Sequence, residues 1–420
     1  MSSERPKVVI VGAGFGGLAA AKALARVAVD VIVLDRQNHH CFQPLLYQVA
    51  TAALSPAEIA WPIRHMLRTQ RNATVLMAEV TGVDLAGRLV QTAAGPISYD
   101  YLVIATGATH SYFGHDEWAE FAPGLKRIED ATRIRRRILL AFEQAELADT
   151  EAERQRLLTF VIVGGGATGV EMAGAIAEVA RETLANDFRR IDPRSSRIIL
   201  LEAGPRLLPT LPEDLSRYAA RALIRMGADV RTSTRVTGCD RRGVALDHGR
   251  IDAGAVIWAA GVVASPAAIW LEAERDQADR VRVLPDLSVA QHPEVFVIGD
   301  VAAVQDAEGQ AVPGVAPAAK QMGRYVGRLI AARLAGKSLP AFRYRNLGEL
   351  ATIGRRAAVV KFGRLRLKGF IGWLFWSLAH IYFLIGVKNR FIVAFTWLWD
   401  YVTFQRGARL ITEVPPQGRP

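Results

Sequence analysis

Cysteine is almost missing from this chain of 420 residues. Cys41 and Cys239 stand far apart and form no CxxC pair, which excludes a disulfide framework and points to a reduced, cytoplasmic setting. A signal peptide is not expected either, because MSSERPKVVIVG enters a strand almost at once, without the charged, apolar and small-residue pattern of a leader. No lysine-rich tail or aromatic-basic repeat accompanies the net charge of +11. The basic balance therefore favours acidic lipid or a phosphorylated ligand, and no nucleic acid partner is expected. No metal-ligand cluster is visible. What the sequence does have is apolar bulk: 50% of its residues are hydrophobic, the high end for a soluble protein and a sign of contact with something greasy. The length suffices for two or three domains.

The first motif lies at the start. Lys7 to Val11 is a short β-branched run typical of a buried parallel strand. Gly12, Gly14 and Gly17 follow in GxGxxG spacing, then a helix, then DVIVLD ending at Asp35. Gly12 permits the tight turn, Gly14 lets the backbone approach a pyrophosphate, and Gly17 lets helix and strand pack closely. The helix start offers free N–H groups to phosphates, and Asp35 can accept from a ribose 2′-hydroxyl. Two later strand ends favour a flavin dinucleotide: YLVIATGA, with Thr106 and Gly107 in a small-residue turn, and VFVIGDVAAV, whose Asp300 can reach ribityl hydroxyls.

The motif occurs twice. Thr159 to Val163 is a second apolar strand, and Gly164, Gly166 and Gly169 repeat the spacing. RIILLEAG offers an acid at Glu202, although the gap from Gly169 exceeds the usual twenty or so residues. Facing an adenosine ribose, Glu202 would repel a 2′-phosphate, which predicts NADH over NADPH, with Arg206 softening the preference. VIWAAGV, Val256 to Val262, parallels the small-residue strand end of the first unit. Two turns mean two dinucleotides, and the economical use is hydride transfer from a mobile nicotinamide to a held flavin. Glu171, two residues beyond Gly169, reads either as a complement to the helix dipole or as a proton relay beside the flavin.

These residues, in this order, look like the two-dinucleotide-binding-domain flavoproteins. Within them the chain resembles the type II, single-subunit, non-pumping NADH:quinone oxidoreductases. The resemblance is carried by GAGFGGL, FQPLLYQVAT at 42–51, GGGATGVEMAG, HPEVFVIGDVA and an aromatic C-terminal segment, and it spans nearly the whole chain. It implies FAD bound non-covalently, NADH as the hydride donor, and a catalytic role for Glu171 in proton or hydride coupling. It also implies a quinone pocket using Gln48 and a segment of AQxxxQ type, here Ala316 to Gln321. In that segment Gln321 matches as a catalytic residue, Pro317 replaces the first glutamine, and Lys320 alters the electrostatics. The resemblance makes a homodimer the reasonable assembly.

The tail is the sharpest compositional shift. Gly369 to Val387 runs nineteen residues without Asp, Glu, Lys or Arg, and FIVAFTWLWDYVTF follows, interrupted by Asp400. Three readings compete: a single span, since a 19-residue helix reaches roughly 28 Å; a buried core helix; and a helix lying in the membrane interface. Basic residues flank the runs, Arg364, Arg366 and Lys368 before, Lys388 and Arg390 after, Arg406 and Arg409 later. If the helices lie flat, an anionic lipid surface attracts all of them. The resemblance favours a monotopic anchor on the cytoplasmic face of the inner membrane. His380 reads as a packing or interfacial residue, and His39 and His40 as ambiguous ones.

The expected architecture is α/β: two Rossmann-like dinucleotide-binding domains, the second inserted in the first, plus a C-terminal helical membrane-anchoring region. The boundaries fall at 1–115 and 285–340 for the FAD domain, 116–284 for the NADH domain and 341–420 for the anchor. The stretch from Glu129 to Leu158 reads as a charged, exposed helical linker. The sequence expectation is a membrane-attached NADH:quinone oxidoreductase without proton pumping. A soluble ferredoxin- or rubredoxin-type reductase and a non-enzymatic NADH-responsive scaffold stay as alternatives.

Overall fold

The computed structural model describes residues 5–306, 308–384, 386–403 and 407–411. The chain divides into two units. The first combines Met1–Cys41, Ala60–Thr109 and Val262–Leu347; the second combines Phe42–Ile59, His110–Gly261 and Gly348–Pro420.

The first unit is built on a six-stranded sheet in the order Ser288–Val289, His292–Val297, Tyr101–Ile104, Lys7–Val11, Asp30–Asp35 and Ala73–Met77. All pairings but the first are parallel. Val8, Val9 and Ile10 are fully buried, as a central parallel strand covered on both faces requires. Helices Phe15–Ala23 and Ala316–Leu334 belong to this unit.

The second unit carries a four-stranded parallel sheet in the order Ala228–Arg231, Arg197–Leu201, Thr159–Val163 and Ala255–Trp258. Every residue of Thr159–Val163 is buried. Helix Ala167–Glu178 follows the central strand. The stretch expected to be an exposed linker is not one. Helix Ile128–Leu147 buries Ala131, Ile134, Arg135, Ile138, Phe142 and Ala145 along one face, and Glu151–Leu157 buries Leu157. The charges that suggest exposure sit on the opposite face of an amphipathic helix, whose apolar stripe packs inward.

The C-terminal part of the second unit is not wholly helical. Strands Glu349–Gly354, Ala357–Phe362 and Leu365–Lys368 form an antiparallel sheet, followed by helices Gly369–Phe383 and Val387–Thr403. The nineteen-residue apolar run is not one helix. It breaks after Phe383, where Leu384 turns to extended backbone and Gly386 takes a φ of 80°. Among the described residues no helix is long and apolar enough to cross a membrane.

Candidate active site

The two glycine turns are built alike. In the first unit Gly12 N–H donates to the Leu34 carbonyl at 2.7 Å and Ala105 N–H to the Val11 carbonyl at 2.7 Å; in the second, Gly164 donates to Leu201 and Ala259 to Val163 at the same distances. Gly12 and Gly164 have φ of 97° and 110°, a region closed to most side chains. A Cβ on Gly17 or Gly169 would lie 1.8 Å from the carbonyl oxygen of Gly12 or Gly164, so both are fixed as glycine by the packing of helix on turn.

Gly14 and Gly166 differ from these. A Cβ at either would meet nothing within 4 Å. Each is the N-cap of its helix, without a side-chain cap and without an acid in the first turn. The positive end of each helix therefore faces space that the protein leaves open, which fits a pyrophosphate approaching the backbone.

Each cradle has its acid. Asp35 ends its strand and accepts Ala13 N–H at 2.7 Å and Gln37 N–H at 2.8 Å. Glu202 accepts Gly165 N–H at 2.5 Å and Gly204 N–H at 2.6 Å. A carboxylate offers about four acceptor sites, so both retain capacity for a ribose diol. The guanidinium of Arg206 is engaged elsewhere, donating to the carbonyls of Leu211 at 2.8 Å and Pro209 at 2.6 Å.

The remaining first-unit residues gather near the first turn and around helix Ala316–Leu334. Thr106 shares a hydroxyl hydrogen bond of 2.5 Å with Ser265, and Gly107 turns with a φ of 70°. Asp300 lies in the turn Gly299–Val301, beside Gly314. Ala316 and Pro317 open the helix, where the missing proline N–H costs nothing. Lys320 lies over the Phe15 ring at 5.0 Å. Gln321 clamps Arg345: its amide donates to the Arg345 carbonyl at 2.9 Å and its oxygen accepts the Arg345 N–H at 3.0 Å. His40 is buried, pairs with the Ala13 carbonyl at 2.9 Å and packs edge-on to Phe15 at 4.8 Å. Burial pulls its ring down to about 4, so it supports the first turn as a neutral group.

The second unit holds a cleft of about 750 Å³, part of it open to solvent, lined by Tyr47, Gln48, Glu171, Thr352, Trp376 and Trp397 among others. Gln48 and Glu171 thus share one cavity. The four helical residues grouped with Gln48 in the sequence reading, Ala316, Pro317, Lys320 and Gln321, belong to the first unit. Gln48 is buried and doubly held: Trp397 Nε1–H donates to its oxygen at 2.8 Å, and its amide donates to the Tyr47 hydroxyl at 2.8 Å. Glu171 is the fifth residue of helix Ala167–Glu178, beyond the first turn, so complementing the helix dipole is not its setting. Desolvation pushes its carboxyl up to about 8, opposed by a hydrogen bond from the Thr352 backbone N–H. His380 is buried, bonded to the Trp376 carbonyl at 2.8 Å and stacked on that ring at 4.1 Å. Burial lowers it to about 4, which makes it a packing residue.

Sequence reasoning does not reach Thr352, Glu178 or the tryptophan wall. The available signal is Gly174, because a glycine inside a helix can mark a close packing neighbour: its Cβ would sit 1.7 Å from the Ile353 carbonyl oxygen.

Two dinucleotide cradles, each at the end of a central parallel strand, define a pyridine-nucleotide flavoprotein reductase. Residues 6–323 match the pyridine nucleotide-disulphide oxidoreductase family. The chain is 46% identical to the type II NADH:quinone oxidoreductase Ndh of Mycobacterium tuberculosis, over 98% of this chain and 91% of that protein. It is 32% identical to a probable NADH dehydrogenase of Dictyostelium discoideum, over 94% and 89%. The structure of NDH2 from Plasmodium falciparum in complex with NADH shares the fold, with a TM-score of 0.88 at 21% identity over 97% of this chain and 100% of that one. The chain belongs to the type II NADH:quinone oxidoreductases.

Proposed function

We propose that this chain oxidises NADH and reduces a lipid-soluble quinone from the membrane surface, with FAD as its redox group and without pumping protons. The observation that carries the reading is the pair of matched cradles, each with an open glycine position and an acid on its turn, in a chain of this family. Bound FAD supplies a two-electron relay between nicotinamide and quinone.

The residues divide the work. Gly12, Gly14, Gly17, Asp35, Thr106, Gly107 and Asp300 hold FAD; Gly164, Gly166, Gly169 and Glu202 hold NADH. The Glu202 carboxylate, already fixed by two backbone N–H groups, repels a 2′-phosphate of like charge. Reducing a quinone to a quinol takes two electrons and two protons, while a hydride carries both electrons and only one proton. The second proton needs a donor. Desolvation disfavours the Glu171 anion and lifts its carboxyl to about 8, and it stands in a cleft with Gln48, so in this reading it serves as that donor. Gln321 and its helix neighbours Ala316, Pro317 and Lys320 are quinone contacts in this reading, Gln321 acting by fixing the backbone at Arg345.

The C-terminal helices supply the attachment to lipid. Helix Gly369–Phe383 buries Gly372, Trp376, Ser377 and His380, and its outward face carries exposed Phe370, Ile371, Leu374, Leu378 and Tyr382. Helix Val387–Thr403 exposes Phe391, Phe395, Leu398 and Trp399. Contiguous apolar stripes of this kind mark a partner surface, and short apolar helices flanked by exposed Arg364, Lys368 and Lys388 suit one leaflet of an anionic membrane. Not every flanking cation is available to lipid: Arg366 pairs with Asp214 at 3.0 Å and Arg409 pairs with Asp187. Arg406 lies outside the described residues. In this reading the protein works on the cytoplasmic face of the inner membrane, as a homodimer.

The deciding experiment uses the full chain purified with its flavin. Anaerobic NADH is expected to bleach the visible flavin absorbance, and a short-chain quinone to restore it. Bleaching without recovery, or a preparation that binds no flavin, overturns the reading.

A further inference from the structure

Glu178 has no place in the chemistry above, yet it is tied to the group that does. It sits seven residues after Glu171 on the same helix, two turns or about 10.5 Å along the axis. Its Oε1 accepts the Arg355 backbone N–H at 2.6 Å. Arg355 follows strand Glu349–Gly354 directly and stands three residues after Thr352, whose N–H meets Glu171. Three extended residues span about 10 Å. The strand therefore lies along the helix with matched spacing, its far end fastened by the Arg355 N–H on the Glu178 carboxylate, with Thr352 lining the same cleft as Glu171.

The intervening residues are cut to fit. A Cβ on Gly174 would lie 1.7 Å from the Ile353 carbonyl oxygen, and one on Gly354 would lie 2.8 Å from Glu178 Oε1. The strand also has an irregular register with its neighbour between Thr352 and Gly354, and the Thr352 hydroxyl bridges to the carbonyls of Gly354 and Ala357 at 3.2 and 3.3 Å. An irregular strand end does not hold its own position through ladder bonds alone. The ladder resumes at Gly354, paired with Ala357, and the Glu178 carboxylate adds a fastening just beyond it.

We propose that Glu178 is a positioning residue for the proton donor: by holding Arg355 it keeps the Thr352 N–H on Glu171 and so sets how readily Glu171 releases its proton. The assignment of Glu171 as donor rests on the reading above; the positioning itself does not. The titratable and charged groups lining the cleft with Glu171 are Tyr47 from helix Leu46–Ala50, Glu178 and Glu182 from its own helix and the turn continuing it, and Arg355 from the hairpin. Glu178 thus acts on Glu171 in two ways with opposite signs. Its negative charge favours the protonated acid, while the strand it holds favours the anion.

Three variants of the flavin-loaded full chain separate the two. Glu178→Asp keeps the charge but withdraws the carboxylate from Arg355. The alkaline fall of kcat with quinone is expected to move up by about one pH unit, with KM for NADH unchanged, and Thr352 and Arg355 amide exchange to quicken by about tenfold or more. Glu178→Ala is expected to quicken the same amides. Glu178→Gln keeps an oxygen acceptor and loses the charge, and is expected to leave the profile in place or lower it slightly. The second readout is the infrared carboxylic acid band of Glu171, identified by its loss in Glu171→Gln and followed through the same pH range; it reports the shift even in a chain that fails to reduce quinone. An unmoved band in Glu178→Asp, or an upward move in Glu178→Gln equal to that in Glu178→Asp, overturns the proposal.

Discussion

The Glu202 carboxylate accepts the N–H of Gly165 at 2.5 Å, closing the second glycine turn onto the end of its neighbouring strand. The first unit makes the same bond from Ala13 to Asp35. The acid in each unit is therefore part of the turn it closes, and in the proposed reading its charge is fixed where a ribose would lie. Replacing Glu202 by Gln is expected to narrow the NADH over NADPH ratio of kcat/KM by about fivefold or more, since one charge repulsion removed at close range is worth roughly 1 kcal/mol or more. A ratio equal to wild type would mean that another residue reads the ribose.

Open space at Gly14 and Gly166 gives a separable prediction. A methyl there meets no protein atom, so both alanine variants are expected to fold with stability within about 0.5 kcal/mol of wild type. Gly14→Ala is expected to lose FAD on purification. Gly166→Ala is expected to keep FAD and raise KM for NADH. Calorimetry and the visible spectrum check this; a Gly14→Ala chain that holds FAD normally would place the pyrophosphate elsewhere.

Glu171 carries a pH signature. Burial raises its carboxyl to about 8, above its ordinary value of 4.5. The folded chain therefore holds a proton that the unfolded chain has lost between those values, and stability falls as pH rises through that window. Glu171→Gln removes the titration. It is expected to retain FAD, to lower quinone turnover by about a hundredfold, and to flatten the loss of thermal stability between roughly pH 5 and pH 8. Unchanged turnover across that range would demote Glu171 to a structural residue.

Trp397 tests the wall of the cleft. Its indole N–H donates to the buried Gln48 oxygen. Trp397→Phe keeps an aromatic ring and removes that donor, at a cost of about 1–3 kcal/mol. The measurement is denaturant unfolding alongside KM for a long-chain quinone. KM is expected to rise, while the rate of flavin reduction by NADH stays at the wild-type value.

The apolar stripes predict lipid attachment. Leu378→Glu together with Phe395→Glu, both exposed, is expected to abolish sedimentation with anionic vesicles while a short-chain quinone is still reduced. Undiminished vesicle binding by that double variant would show that the attachment lies on another face.

The chain order of strand, glycine turn, helix and acid is written locally, so both cradles are legible from sequence, down to the residues that close them. Glu202 is the harder assignment, because the loop before its strand lengthens the spacing, while parallel pairing of Arg197–Leu201 with Thr159–Val163 brings the acid back to the turn. Charge content by itself makes the helices between 128 and 157 look exposed; the apolar stripe running through the charges is the signal that decides their packing.

The sequence by itself determined where backbone must turn tightly and where it must stay buried, since glycine spacing and β-branched runs act through their immediate neighbours. Only the tertiary structure decided what surrounds Glu171: the strand lying over Gly174, the Thr352 N–H, the Glu178 fastening and the Trp397 to Gln48 bond all join segments far apart along the chain. Proton affinity depends on desolvation and on donors arriving through space, and no local pattern encodes either.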